Sequence, residues 1–92
     1  MSFLRTLIES AEASAELDRL RKEFPRFDEY WLGWSWRLAR GPDRGAVQVP
    51  SIDPPVFVIR TFEFLPDMPT ITILFRYTDD EVEIIGIRVI DA

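Results

Sequence analysis

Cysteine and histidine are both absent from these 92 residues, which removes disulfides, thiol nucleophiles, Cys/His zinc sites and any general base built on imidazole. Redox chemistry therefore says nothing about compartment. Lysine occurs once, as Lys22, and the other basic side chains are all arginine. The eleven basic groups are outnumbered by sixteen acidic ones, for a net charge of −5, a balance that disfavours a large phosphate-binding surface. No apolar run approaches the ~18 residues of a membrane-spanning helix. The N-terminus lacks a basic segment followed by an apolar stretch and cleavage site, so a cytoplasmic chain with no membrane contact is expected. Phosphate-cradling glycine motifs, metal-ligand spacings, internal repeats and low-complexity runs are missing as well, and no cofactor is expected.

What is present suffices for one core. Apolar residues make up 47% of the chain and charged residues 29%, with three Trp, two Tyr and seven Phe, far from the composition of disorder. The length fits a single domain over residues 1–92.

The apolar pattern predicts an α+β order. Residues 3–8 are short, apolar and partly β-branched, and Ser10 offers an N-cap, so a brief strand leading into a helix is expected; a single helix from Ser2 fits Leu4, Leu7, Ile8 and Ala11 equally. Ala13, Leu17, Leu20 and Phe24 then fall on one helical face. Pro25 disfavours helical geometry at Phe24 and suits the first turn of a second helix. That helix carries Phe27, Tyr30, Trp31, Trp34 and Leu38 along one stripe, antiparallel to the first. Gly41, Pro42 and Gly45 end it, and Pro50, Pro54 and Pro55 keep the chain irregular to about Val56. Strand-forming stretches follow at 56–64, 70–77 and 82–90, with a turn at 65–69, giving a three-stranded antiparallel meander.

A turn centred on Asp79 and Asp80 pairs Tyr77 with Val82, Arg76 with Glu83 and Leu74 with Ile85. Alternation then places Ile71, Ile73, Phe75, Val82 and Ile84 on a helix-packed face. Thr72, Leu74, Arg76, Glu83, Ile85 and Ile87 take the other. The apolar members of this outer face, Leu74, Ile85 and Ile87, call for a cover: loop 41–55, or else a third layer, a partner or a substrate.

Charge is uneven. Residues 1–46 hold eight basic and eight acidic groups, whereas 47–92 hold three and eight. Residues 19–44 carry seven basic against four acidic groups, which fits either a solvated helix face or contact with an acidic partner or nucleic acid. Asp79, Asp80, Glu81 and Glu83 suggest a hard-cation site or, more simply, a polar hairpin turn. Trp31 and Trp34 lie on the core stripe; Trp36 lies off it and is the candidate exposed aromatic.

Two stretches carry a family resemblance. The segment Leu38-Ala-Arg-Gly-Pro-Asp-Arg-Gly45 is similar to the helix-ending segment of the RelE/ParE superfamily of bacterial toxins, with Gly41 where an acid or amide is usual. Residues 73–87, ILFRYTDDEVEIIGI, resemble that family's last two strands and the acidic turn between them, with Phe75 in place of the commoner tyrosine. The likeness covers most of residues 3–90. It implies a strand, two helices and a meander, and a toxin neutralised by a cognate antitoxin. It further implies either ribosome-dependent mRNA cleavage or poisoning of DNA gyrase, with the homo-oligomeric state left open. The basic residue that often opens the third strand in the nuclease branch falls on Thr72, and its basic tail falls on Asp91 and Ala92. Arg60, Arg76 and Arg88 remain as candidate catalytic cations, with Tyr77 and Tyr30 as hydroxyl donors. Arg60 shares the Thr72 face if Phe62 pairs with Thr72. Leu74, Ile85, Ile87 and Trp36 are the candidate partner-binding residues, and a non-catalytic binding module on the same fold is the competing expectation.

Overall fold

The structure, a computed structural model, describes residues 4–61 and 68–90. Its elements are β1 (Thr6–Glu9), α1 (Ala11–Glu23), α2 (Phe27–Arg40), β2 (Val47–Gln48), β3 (Phe57–Arg60), β4 (Thr70–Tyr77) and β5 (Glu81–Ile90). The class is α+β, with two helices on one side of a five-stranded mixed sheet of order β1-β5-β4-β3-β2.

Local chemistry explains the helices. Ser10 is extended and its Oγ accepts the N–H of Ala13 at 3.1 Å, which caps α1. Phe24 leaves the helix in an extended conformation, as the following proline demands. Ala13, Leu17 and Leu20 face inward from α1, and Phe27, Tyr30, Trp31, Trp34 and Leu38 from α2. Both stripes match their expected spacing. The second helix begins at Phe27, two residues after Pro25, with Arg26 at its N-cap and no side-chain cap bond. Arg21 reaches from α1 to Asp28 of α2 at 2.6 Å, and that hydrogen bond holds its pKa above the ordinary value.

The sheet departs from the expected wiring in three ways. First, β1 begins at Thr6 and runs parallel to β5, Thr6 beside Glu81 and Glu9 beside Ile84. Pairing of the first strand with the last, across the whole chain, leaves no local mark in sequence. Residue 3 of the expected strand lies outside the described residues, as do residues 62–64 of the expected third-from-last strand and 65–67 of the turn. Second, the segment expected to be irregular contains β2, which pairs antiparallel with β3. Gly45, at φ 76°, makes the turn into it.

Third, β5 carries a bulge. Tyr77 pairs with Val82 and Arg76 with Glu83 as expected, but Phe75 then pairs with Ile84 and Leu74 with Gly86, which leaves Ile85 as the extra residue. The expected Leu74–Ile85 pair is therefore replaced by Leu74–Gly86. Beyond the bulge the alternation is reversed. Ile87 pairs with Ile73 and is buried in the core at 7% exposure, so its assignment to the outer face is corrected. The turn into α1 docks on this irregularity, because Ser10 N–H donates to the carbonyl of Ile84 and Ser10 Oγ to that of Ile85.

These positions give a direct test of the bulge. Ile87→Ser should destabilise by about 3 kcal/mol, through lost burial and a buried hydroxyl. Ile85→Ser, at a half-exposed site, should cost under about 1 kcal/mol. Urea denaturation of both variants reads the difference; equal losses would mean an unbroken alternation.

Candidate functional site

The face of the sheet away from the helices carries, beyond the Thr70–Ile90 pair at one end, three further cross-strand rows. Arg60 of β3 and Arg88 of β5 both stand beside Thr72 of β4, since Arg60 pairs with Thr72 and Thr72 with Arg88. Adjacent strands lie about 4.8 Å apart, so the two arginines flank Thr72 with Cα atoms about 10 Å from each other. Both are exposed, and neither has an ion-pair partner among the described residues. The pairing expected to bring Arg60 onto this face, Phe62 with Thr72, involves a residue outside the described ones. Arg60 itself occupies the position opposite Thr72. The register is fixed beyond β3 by Thr61, whose N–H donates to the Ile71 carbonyl while its buried Oγ1 accepts the Ile71 N–H at 3.0 Å.

The next row is apolar: Val47, Val58 and Leu74 stand across β2, β3 and β4, ending at Gly86. Val47 is 65% exposed. Val47 and Val58 escaped the sequence reading because β2 and the β3 register were not expected.

The third row holds Arg76 and Glu83, joined at 3.6 Å between Nε and Oε1, with Ile8 of β1 beside Glu83. The pair is an ion pair beyond hydrogen-bond distance, and Arg76 Nε is buried without a hydrogen-bond partner. Pro54 and Pro55 approach this end of the face and line, with Ile8, Arg76, Tyr77 and Glu83, a cavity of about 570 Å³. The loop thus borders the Arg76 end and leaves the Arg60 and Arg88 end exposed.

The sequence-derived candidates separate into distinct places. Arg60 and Arg88 come together, and Arg76 lies on the same face already paired. Tyr77 does not join them. Its ring packs on the helix side of the strand, 5.0 Å from Phe57 and 6.4 Å from Phe75 between centroids, with the Arg5 guanidinium 5.6 Å above it. Tyr30 is a buried core residue of α2. Leu74 and Ile85 are half-buried in the sheet, Ile87 belongs to the core, and Trp36 stands 52% exposed on α2. The acidic turn is a polar hairpin connection in which Thr78 Oγ1 accepts the N–H groups of Asp80 and Glu81. Among the described residues no acidic group gathers into a metal site. None of the described helices is long and apolar enough to cross a membrane.

Two exposed guanidiniums across one threonine form a small cationic surface on an acidic protein. Arginine presents five donors in a rigid fork and stays charged at any physiological pH, so the row suits a phosphate group or carboxylate. No protein-family model, curated protein or solved structure matches this chain.

Proposed function

We propose that the chain is a toxin, or a toxin-like protein, of a bacterial type II toxin-antitoxin pair, related to the RelE/ParE superfamily and acting from the exposed sheet face. The observation that carries this reading is the Arg60–Thr72–Arg88 row, which puts two exposed cations, without an ion-pair partner among the described residues, on either side of the position where the resemblance implies a basic residue. The order of elements, one strand and two helices before strands joined by an acidic turn, supports it.

The activity we assign first is cleavage of ribosome-bound mRNA. The 2′-hydroxyl attacks phosphorus and gives up its proton to water, the bond from phosphorus to the 5′-oxygen breaks, and that oxygen takes a proton from water, so the products are a 2′,3′-cyclic phosphate and a 5′-hydroxyl end. Arg60 and Arg88 neutralise charge developing on the phosphate oxygens. With Thr72 in place of a third cation, the intrinsic rate is low by ~10²- to 10³-fold relative to a site with one more positioned donor.

The alternative, a non-catalytic binding module, is favoured by the apolar row of Val47, Val58 and Leu74, which suits an extended partner segment. Induction of the chain alone, and together with the product of the adjacent open reading frame, tests the proposal. Growth arrest relieved by the neighbour, with new 5′-hydroxyl ends in mRNA, is expected. DNA damage with intact RNA would move the target to gyrase. Unimpaired growth together with a stable complex would favour the binding module.

A further inference from the structure

Helix α2 carries a second surface, on the side of the molecule away from the arginine row. Leu32, Trp36 and Arg40 recur every four residues and so line one strip of the helix. Leu32 is 60% exposed and Leu4, beside the strip, 53%. A groove of about 650 Å³ is lined by Leu4, Gly33, Trp36, Arg40 and Arg44, together with Arg37, and by no acidic side chain. Arg40 and Arg44 have no ion-pair partner among the described residues.

Gly33 is the independent observation. Glycine is among the least favourable residues in a helix interior, yet a Cβ added here would meet nothing within 4 Å. Packing within the chain therefore does not call for it. A bare position beside an exposed tryptophan instead admits the close approach of another backbone.

We infer that this groove docks a short acidic peptide segment of a protein partner. Its backbone passes over Gly33, an aliphatic side chain rests on Trp36 and Leu4, and carboxylates meet Arg40 and Arg44. Charge complementarity selects the occupant, since the groove is cationic on a chain of net charge −5. The groove holds a single exposed indole beside the aliphatic Leu4, not the succession of aromatic faces on which neighbouring bases stack, so a short peptide fits it better than a nucleic acid. Tryptophan and arginine are also the residues that dominate protein interfaces. This inference does not depend on growth inhibition.

Acrylamide quenching reads the groove directly, because Trp31 and Trp34 are buried and Trp36 is the accessible indole. A short synthetic peptide of Glu, Asp and Leu should protect Trp36 from quencher, and its Gln/Asn counterpart should not. Arg40→Gln and Arg44→Gln should each weaken binding about tenfold and flatten its salt dependence. Gly33→Leu should raise the melting temperature by about 4 °C through helix propensity and weaken peptide binding by about tenfold or more. A merely structural role for Gly33 would not separate those two effects. The inference fails if the acidic peptide gives no protection at millimolar concentration, if the neutral peptide protects equally, if Gly33→Leu binds like the parent, or if oligouridine protects where the peptide does not.

Discussion

Replacing Arg60 and Arg88 together with glutamine should abolish growth inhibition while shifting the melting temperature by no more than about 4–8 °C. Both side chains are exposed and unpaired among the described residues, so each substitution should cost within about 0.5 kcal/mol, and about 1 kcal/mol in total corresponds to that shift in a domain of this size. Activity responds on a different scale. Loss of one donor that meets charge in a transition state lowers rate by ~10²- to 10³-fold, and in the proposed reaction the two guanidiniums share one phosphate, so the double variant need not reach the product of the singles. Growth rate and new RNA ends, measured at matched soluble protein levels, read the effect. Arg76→Gln is the internal comparison: Arg76 already faces Glu83, and its loss should reduce inhibition far less.

Phe75→Ala should lower stability by about 3–5 kcal/mol, enough to remove most of the margin of a small domain near the lower end of the ordinary 5–15 kcal/mol range. Phe75 is fully buried, packs 6.0 Å from Phe57 between ring centroids, and sits at the strand position where the register of β4 against β5 shifts. Its loss should therefore open a cavity between sheet and helices and weaken the bulge that turns Ile87 inward. The melting temperature should fall by about 20 °C. Leu32→Ala, an equally apolar change at a 60% exposed position, should stay within about 0.5 kcal/mol. Similar losses at both positions would contradict the placement of the core.

Much of this arrangement is legible in sequence where periodicity is local. The stripes of Ala13, Leu17 and Leu20 and of Phe27 to Leu38 follow from spacing alone, and Arg76 opposite Glu83 follows from the turn at Asp79 and Asp80. The parallel pairing of β1 with β5 joins segments some seventy residues apart, and nothing local announces it. The bulge left a trace that strict alternation overrode: Ile84, Ile85 and Ile87 are apolar around Gly86, a pattern that a period of two cannot place on one face. Once the extra residue is granted, Ile87 returns to the core and the outer face loses one of its expected apolar members.

The site was legible in part for the same reason. Arg60 and Arg88 needed the β3 register, and that depends on how the chain returns from Thr61 to Ile71, with Thr61 supplying both a backbone and a side-chain bond. Tyr77 stands opposite Val82, and that pairing already implied the core side of the strand. Trp36 was identified as exposed from its place off the stripe, but the meaning of Gly33 emerges from the empty space above it.

Growth of bacteria after induction of the unaltered chain by itself, followed beside the Arg60→Gln/Arg88→Gln double variant at equal soluble abundance, is the most direct measurement. Arrest by the parent and normal growth with the variant is the predicted result. Normal growth with both, while folded parent protein accumulates, would contradict the proposed role, and equal arrest by both would remove the arginine row from it.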